Sequence, residues 1–448
     1  MRRGHQFDRA LCQRRSDHHE HRTRITDPPD PEDLPMTVTD RAPELADIDL
    51  LASTWGVAEP HDQFDRLRAD APVYWHPEPD GPGFWALTTH ADVRAVSRDS
   101  ETFSSELGST FIPDQSEESL AQIRLTILNM DPPKHARYRR LVSRGFTPRV
   151  ISKLVEDIGV RAELVVDEVA ERGECEFVND VAAKVPVQMI CEMIGLEPEL
   201  WPRMVELSNR LIGSFDDPDY QVEEGQEAVA AMEVYGLCDA VAADRRVNPR
   251  DDIMTALVNA EIDGERMDDL ELNLFFVTLV VAGNETTRNL INHAMLALIE
   301  HPDQAQRLRD HPELWDSAVE EMLRWGTSIH NFRRTATRDT EIRGVRIAEG
   351  DKVVMYYASA NRDSDVFEDP HTFDIGRTPK DHVTFGGGGV HFCLGASLAR
   401  AEIRATMQQL VERLPDIALA GTPNRLHSDF VNGIKSMPIT FTPAPRLG

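Results

Sequence analysis

The chain has 448 residues, 41% hydrophobic and 28% charged, the balance of a water-soluble globular protein. Its 77 acidic residues against 48 basic ones leave a net charge of −29, which argues against a nucleic-acid-binding face. Cys12, Cys175, Cys191, Cys238 and Cys393 show no paired spacing, which argues against a disulfide framework or zinc site and suits a reducing cytoplasm.

Residues 1–35 are nearly free of apolar side chains and end in a Pro/Asp cluster. They read as a disordered N-terminal extension, the His18-His19-Glu20-His21 cluster included, with Met36 a second candidate start. Nothing linker-like divides residues 36–448, so one large domain is expected, mainly α with small β-sheets. Residues 61–75 predict a short helix running into a strand at Val73-Tyr74-Trp75, with a second strand at 84–87 after a glycine turn. Residues 103–128 show no clear period and predict a mobile loop contributing to a substrate lid. Asp131-Pro132-Pro133 opens a helix. Residues 149–245 are helical, with a break at Gly213–Pro218. A long apolar helix from Met267 to Leu298 spans ~48 Å. No stretch reaches the roughly 18 apolar residues of a membrane span. A helix at 312–325, strands at 341–347 and 352–357, a helix at 396–413 and a terminal hairpin centred on Asn432-Gly433 complete the chain.

The chemistry concentrates near the C-terminus, in Phe385-Gly386-Gly-Gly-Gly-Val-His391-Phe-Cys393-Leu-Gly395. Taken alone, a cysteine is more often a buried structural thiol. Here it lies between a glycine-rich loop and a helix start, where backbone N–H groups and the helix dipole stabilise a thiolate. Thiolate ligation of haem iron favours O–O cleavage. Within the long helix, Ala282-Gly283-Asn284-Glu285-Thr286-Thr287 breaks the apolar pattern, and the glycine alone costs about 1 kcal/mol. Such violations mark a functional site or a kink with a back-bonding threonine. Glu321 and Arg324 lie at i and i+3 on one helix face, a pairing that is also common as surface decoration.

Together these motifs resemble the cytochromes P-450, the haem-thiolate monooxygenases, over roughly residues 36–448. The resemblance implies haem b with Cys393 as axial ligand. It implies propionate partners at His135, Arg139, Arg334 and His391. Phe385, Gly386 and Gly395 would shape the ligand loop, and Ala282 and Gly283 would let the long helix pass close over the haem. Thr286 would hydrogen-bond dioxygen, and Glu285, standing where many members have Asp, would relay protons. Glu321 and Arg324 would form the buried ExxR pair. The third arginine of that network is missing from the matching text Pro370-His-Thr372-Phe373, and Arg377 is the candidate substitute.

Phe385 stands eight residues before Cys393, where many bacterial members have seven. That loop and the ending Asp429-Phe-Val-Asn-Gly-Ile-Lys435 resemble a bacterial branch that hydroxylates methyl-branched lipids and sterol side chains, often at the terminal methyl. The expected pocket lining is Phe111, Ile112, Ile127, Val281, Ile329, Phe332 and Val431. No flavin or Fe–S motif is present, so electrons would come from a separate ferredoxin and ferredoxin reductase, docking by Arg137 and Arg140. The alternatives are a hydroxylase of another secondary metabolite, a peroxide-driven peroxygenase and a non-catalytic haem-based ligand binder. The Glu285-Thr286 pair speaks against the last two.

Overall fold

The computed structural model describes residues 45–51, 59–146, 148–212, 226–261, 264, 266–378 and 380–447. The predicted N-terminal extension and the break at 213–218 lie outside them.

The first half of the chain alternates helices with short strands. In order these are α1 (His61–Asp70), β1 (Val73–His76), β2 (Phe84–Leu87), α2 (His90–Arg98), β3 (Phe103–Ser104), α3 (Glu117–Ile123) and α4 (Lys134–Val142). A helical block follows: α5 (Pro148–Ala170), strand β4 (Glu174–Glu176), α6 (Lys184–Ile194), α7 (Trp201–Ile212), α8 (Gln226–Val247), α9 (Ile253–Val258), α10 (Asp269–Glu300), α11 (Pro302–Asp310) and α12 (Trp315–Gly326). Strands β5 (Asn331–Ala336), β6 (Thr340–Ile342), β7 (Val345–Ile347) and β8 (Lys352–Tyr356) lead through α13 (Tyr357–Ala360) to α14 (Ala396–Arg413). The chain ends in β9 (Ala418–Leu419), β10 (Asn424–Arg425), β11 (Ile434–Ser436) and β12 (Pro438–Thr440).

Helix α10 is the axis of the helical block, packing against α6, α8, α12 and α14. Its start is fixed by a reciprocal capping box: the Glu271 N–H donates to Asp268 (2.8 Å) and the Asp268 N–H to Glu271 (3.1 Å). The larger sheet has the order β1-β2-β8-β5-β3, with β2 parallel to β8 and the other pairs antiparallel. Because side chains alternate along a strand, this sheet carries a separate apolar cluster on each face, while the helices share one large core.

Two expectations need correction. The stretch 103–128 is more ordered than a loop: Phe103 and Ser104 pair with Ala336 and Thr335, and α3 follows, capped by Ser116. Asn432-Gly433 is not a hairpin turn. Strand β10 pairs with β11 across the whole of 426–433, and the Asn432 side chain is buried, donating to Glu59 (2.7 Å) and to the Gly326 carbonyl (2.9 Å).

Candidate active site

The cysteine loop lies flat on α2. Gly386, Gly388 and Gly389 have φ of +93°, +100° and +76°, the left-handed region that favours glycine. A Cβ on Gly387 would fall 2.6 Å from Ser97 Oγ, and one on Gly389 2.2 Å from the Ser97 carbonyl. The glycines of 387–389 therefore serve contact with α2, whereas a Cβ on Gly386 would meet no atom closer than 4.0 Å. The Cys393 N–H donates to the Phe385 carbonyl (3.0 Å), closing the loop. Arg400 stacks over the Phe385 ring, 4.6 Å from its centroid, and binds Glu320 through Nε (2.6 Å) and Nη2 (2.9 Å).

This brings Cys393 to the start of α14 with an accessible side chain. Protein packed around the sulfur pushes its pKa up; against this act the N–H groups of Gly395 and Ala396 and the charges of Arg139 and Arg400. Arg139 also donates to the Phe392 carbonyl, so it holds the ligand loop as well as facing the site.

Beside the loop sits a cluster of basic groups. The rings of His135 and His391 are 4.3 Å apart, and Ser105 Oγ lies 3.1 Å from His391 Nε2. Arg334 is buried and donates to the Arg333 carbonyl (2.8 Å), but among the described residues no carboxylate lies within ion-pair distance of it. Burial pushes the pKa of His135 down to about 4, with Arg139 and Arg334 adding to the effect. Burial and then Arg334, His135 and Arg139 push His391 down to about 2. Among the described residues, His135 Nδ1 is buried without a partner. The two arginines supply positive charge and the two neutral imidazoles supply N–H donors, a set that fits the two carboxylates of a haem.

On α10, Ala282 is exposed and Val281, Gly283 and Thr286 are half-buried, within a helix otherwise largely buried. Gly283 corrects the sequence reading: its missing Cβ would lie 3.2 Å from Ile190 Cδ1, so its small size serves contact between α10 and α6. Ala282 supplies the open surface. The Thr286 hydroxyl donates to the Ala282 carbonyl (2.7 Å), leaving its oxygen as an acceptor. Glu285 is buried; it forms an ion pair with Arg288 and accepts a hydrogen bond from Asn289 Nδ2 (2.8 Å). Asn289 Oδ1 in turn accepts from the Ile434 N–H (3.3 Å). Neither Arg288 nor Asn289 was picked out from the sequence, though polar residues in an apolar helix are a usable signal.

Glu321 and Arg324 are fully buried and joined by two hydrogen bonds of 2.7 Å. Arg324 also donates to the carbonyls of Asn361 (2.8 Å) and Pro370 (2.9 Å). The third arginine is Arg377: its Nε reaches both Glu321 oxygens, at 3.1 and 3.2 Å, and its Nη2 the Thr372 carbonyl, at 2.6 Å.

A family model described as Cytochrome P450 matches residues 83–415. The chain belongs to the cytochrome P450 family. This P450 is 41% identical over 395 residues to a steroid C26-monooxygenase of Rhodococcus jostii, covering 86% of this chain and 82% of the relative. It is 40% identical over 430 residues to a methyl-branched lipid omega-hydroxylase of Mycobacterium bovis, covering 94% and 98%. A Mycobacterium marinum P450 solved in complex with pseudoionone superposes with a TM-score of 0.83 at 40% identity, covering 88% of this chain and 98% of the other. The protein is accordingly a monooxygenase, an oxidoreductase that incorporates oxygen from O2. Among the described residues no helix is long and apolar enough to cross a membrane.

The pocket residues expected from the sequence of this P450 divide. The rings of Phe111 and Phe332 both meet Phe430, at centroid distances of 4.9 and 5.3 Å, and Ile329 pairs with Val431. Phe430, the centre of that group, was not singled out in the sequence. Ile127 is half-buried against the helical core. Ile112 is not a pocket residue: it packs with Phe64, Val354 and Tyr356 in the core on one face of the larger sheet. On α4, Arg140 is exposed, whereas Arg137 is half-buried and already partnered.

Proposed function

We propose that Cys393 ligates the iron of haem b and that this P450 hydroxylates a methyl-branched lipid, isoprenoid or sterol side chain at its terminal end. The observation that carries the cofactor assignment is the exposed residue Cys393, between backbone N–H donors and the cluster of His135, Arg139, Arg334 and His391. The haem supplies O2 activation and insertion of one oxygen atom into a C–H bond. Arg334, His135 and His391 would hold its propionates, and the exposed Ala282 would leave room for it beside α10. The Thr286 oxygen accepts a hydrogen bond at the reaction site. Glu285, held by Arg288 and Asn289, is the proton carrier of the buried helix face.

The substrate assignment rests on the relatives at about 40% identity named for steroids and methyl-branched lipids, and on the apolar group around Phe430. Burying hydrocarbon there contributes about 25 cal/mol per Å². The neighbour holding pseudoionone supports isoprenoids as a third class. A separate ferredoxin delivers electrons singly, reduced by its own reductase. It docks near Phe392 (38% exposed) and Arg140.

The test is an optical titration of the ferric protein with a methyl-branched fatty acid, a sterol and a short terpenoid. A shift to high spin identifies the class, and mass spectrometry of turnover products should place the hydroxyl at the chain end. A thiolate spectrum with no shift for any ligand would remove the substrate assignment. A spectrum without thiolate character would remove Cys393 as ligand.

A further inference from the structure

Lys352 is 2% exposed and belongs to none of the family motifs. A lysine this buried must have its charge matched. Its Nζ lies 2.6 Å from Glu78, in the turn between β1 and β2, and 2.9 Å from Asp114; it also donates to the Ile112 carbonyl (3.2 Å). Arg333 stands on the neighbouring strand β5. Thr335 pairs with Lys352 and Arg333 with Val354, so alternation places Arg333 and Lys352 on one face of the sheet. Arg333 is 4% exposed, and its Nη1 donates to Asp114 Oδ1 (2.8 Å) and to the Ile112 carbonyl (3.0 Å). Its backbone N–H donates to the Thr110 carbonyl (2.9 Å).

These charges are unevenly distributed over the fold. Glu78 neutralises Lys352 from within the sheet scaffold. Asp114 is the carboxylate in salt-bridge distance of Arg333, and it comes from the segment between β3 and α3, with its side chain 51% exposed. Partial burial works against the Asp114 carboxylate, yet Lys352 and Arg333 hold its pKa below the usual range. The segment lies tight on the sheet: a Cβ on Gly108 would fall 2.6 Å from Arg333 Nη2 and 2.7 Å from Thr335 Oγ1. Between the Thr110 and Ile112 carbonyl contacts projects Phe111, its ring against Phe430.

We propose that Arg333, Lys352 and Asp114 are positioning residues: together they anchor the segment 108–114 so that Phe111 closes against Phe430 and Phe332 and sets the width of the apolar end of the substrate site. This rests on the reading that the Phe430 group faces substrate. A fixed Phe111 favours slim branched chains over broad fused rings, and releasing the anchor lowers that discrimination.

The variants are Asp114→Asn, which keeps shape and removes charge at a half-exposed position, and Asp114→Glu, which restores charge. Hydrogen exchange of the holoenzyme reads the anchor without any substrate. The Thr110 and Phe111 amides, bonded to Asn129 Oδ1 (3.0 Å) and Ser109 Oγ (3.1 Å), should exchange faster in Asp114→Asn, with α10 and α14 unchanged. The expected acceleration is about fivefold, the scale of weakening the partly exposed ion pairs of Asp114 with Arg333 and Lys352, and Asp114→Glu should recover most of it. Spin-shift titrations should then show the ratio of sterol to branched fatty acid Kd changing by about fivefold in Asp114→Asn. Unchanged exchange at Thr110 and Phe111 would overturn the anchor. Faster exchange with an unchanged Kd ratio would overturn the placement of Phe111 at the substrate. A normal thiolate spectrum in both variants keeps either result separate from the haem assignment.

Discussion

Glu285 is held from within its own helix, by Arg288 at i+3 and Asn289 at i+4, while Thr286 turns its proton to the Ala282 carbonyl. Thr286→Ala removes the acceptor oxygen and leaves the ion pair intact. Product formed per O2 consumed should fall by roughly tenfold or more, approaching the ~100-fold at which the contribution of one positioned proton-transfer group begins, while substrate Kd stays the same. Parallel oxygen-electrode and product assays check this; an unchanged ratio would place proton delivery elsewhere. Asn289→Ala strips Glu285 of one donor and leaves the buried Ile434 N–H without its acceptor, at a cost of about 1–3 kcal/mol in a urea melt. The acid–threonine pair was legible because it violates an apolar pattern. Arg377 was not settled by the sequence, since it lies 56 residues from Glu321 and reaches it only through the folded path of 361–377. That path includes Asp369 at φ +44°. Arg377→Ala should cost several kcal/mol, as expected for breaking a buried charge network, and lower haem content at purification.

The ligand loop and α2 form one unit at the level of elements, and sequence reading captured only half of it. Local signals gave α14 its bounds and β2 its position, because each has a clean start or a flanking turn. The glycine run was legible as a loop beside the cysteine, but not what its glycines touch. Gly387 and Gly389 face Ser97, about 290 residues earlier in the chain, a contact that no local pattern encodes. Ile112 went astray for a related reason: only the packing of this bend against the sheet decides that Phe111 faces Phe430 while Ile112 enters the core. Gly389→Ala tests the unit. A Cβ there meets the Ser97 carbonyl at 2.2 Å and the backbone has φ +76°, so both clash and strain apply. The expected loss is at least 1–3 kcal/mol. It should show as an altered reduced-CO spectrum with α10 protection retained, and a normal spectrum would mean that α2 yields without disturbing Cys393.

Across the whole molecule, acidity sets one further behaviour. The helical block meets the sheet at a cluster of buried histidines that no motif announced. His293 Nε2 lies 3.0 Å from the Asn432 carbonyl, and burial pushes the pKa of His293 and of His330 down to about 4. Glu59 and Arg425 face both, and His61 faces His330; Glu59 opposes the shift while Arg425 reinforces it. In the unfolded chain each histidine takes a proton below about pH 6.5; in the fold neither does until about pH 4. Between those limits the unfolded state binds more protons, so stability falls as pH falls, and the loss is complete near pH 4. Glu59 acts lower on the scale. Its carboxylate is held at about 2 despite its burial, by His61, His330, Arg362 and His293, so its contribution is present above its ordinary 4.5 and lost as pH falls through about 2. Urea midpoints of the holoenzyme between pH 7 and 4.5 should therefore decline, by roughly 1 kcal/mol per pH unit for each histidine. His293→Gln keeps a donor for the Asn432 carbonyl and cannot take the proton. Its slope should be shallower by one histidine's share, whereas equal slopes in the two proteins would mean that His293 titrates as freely in the fold as in the unfolded chain.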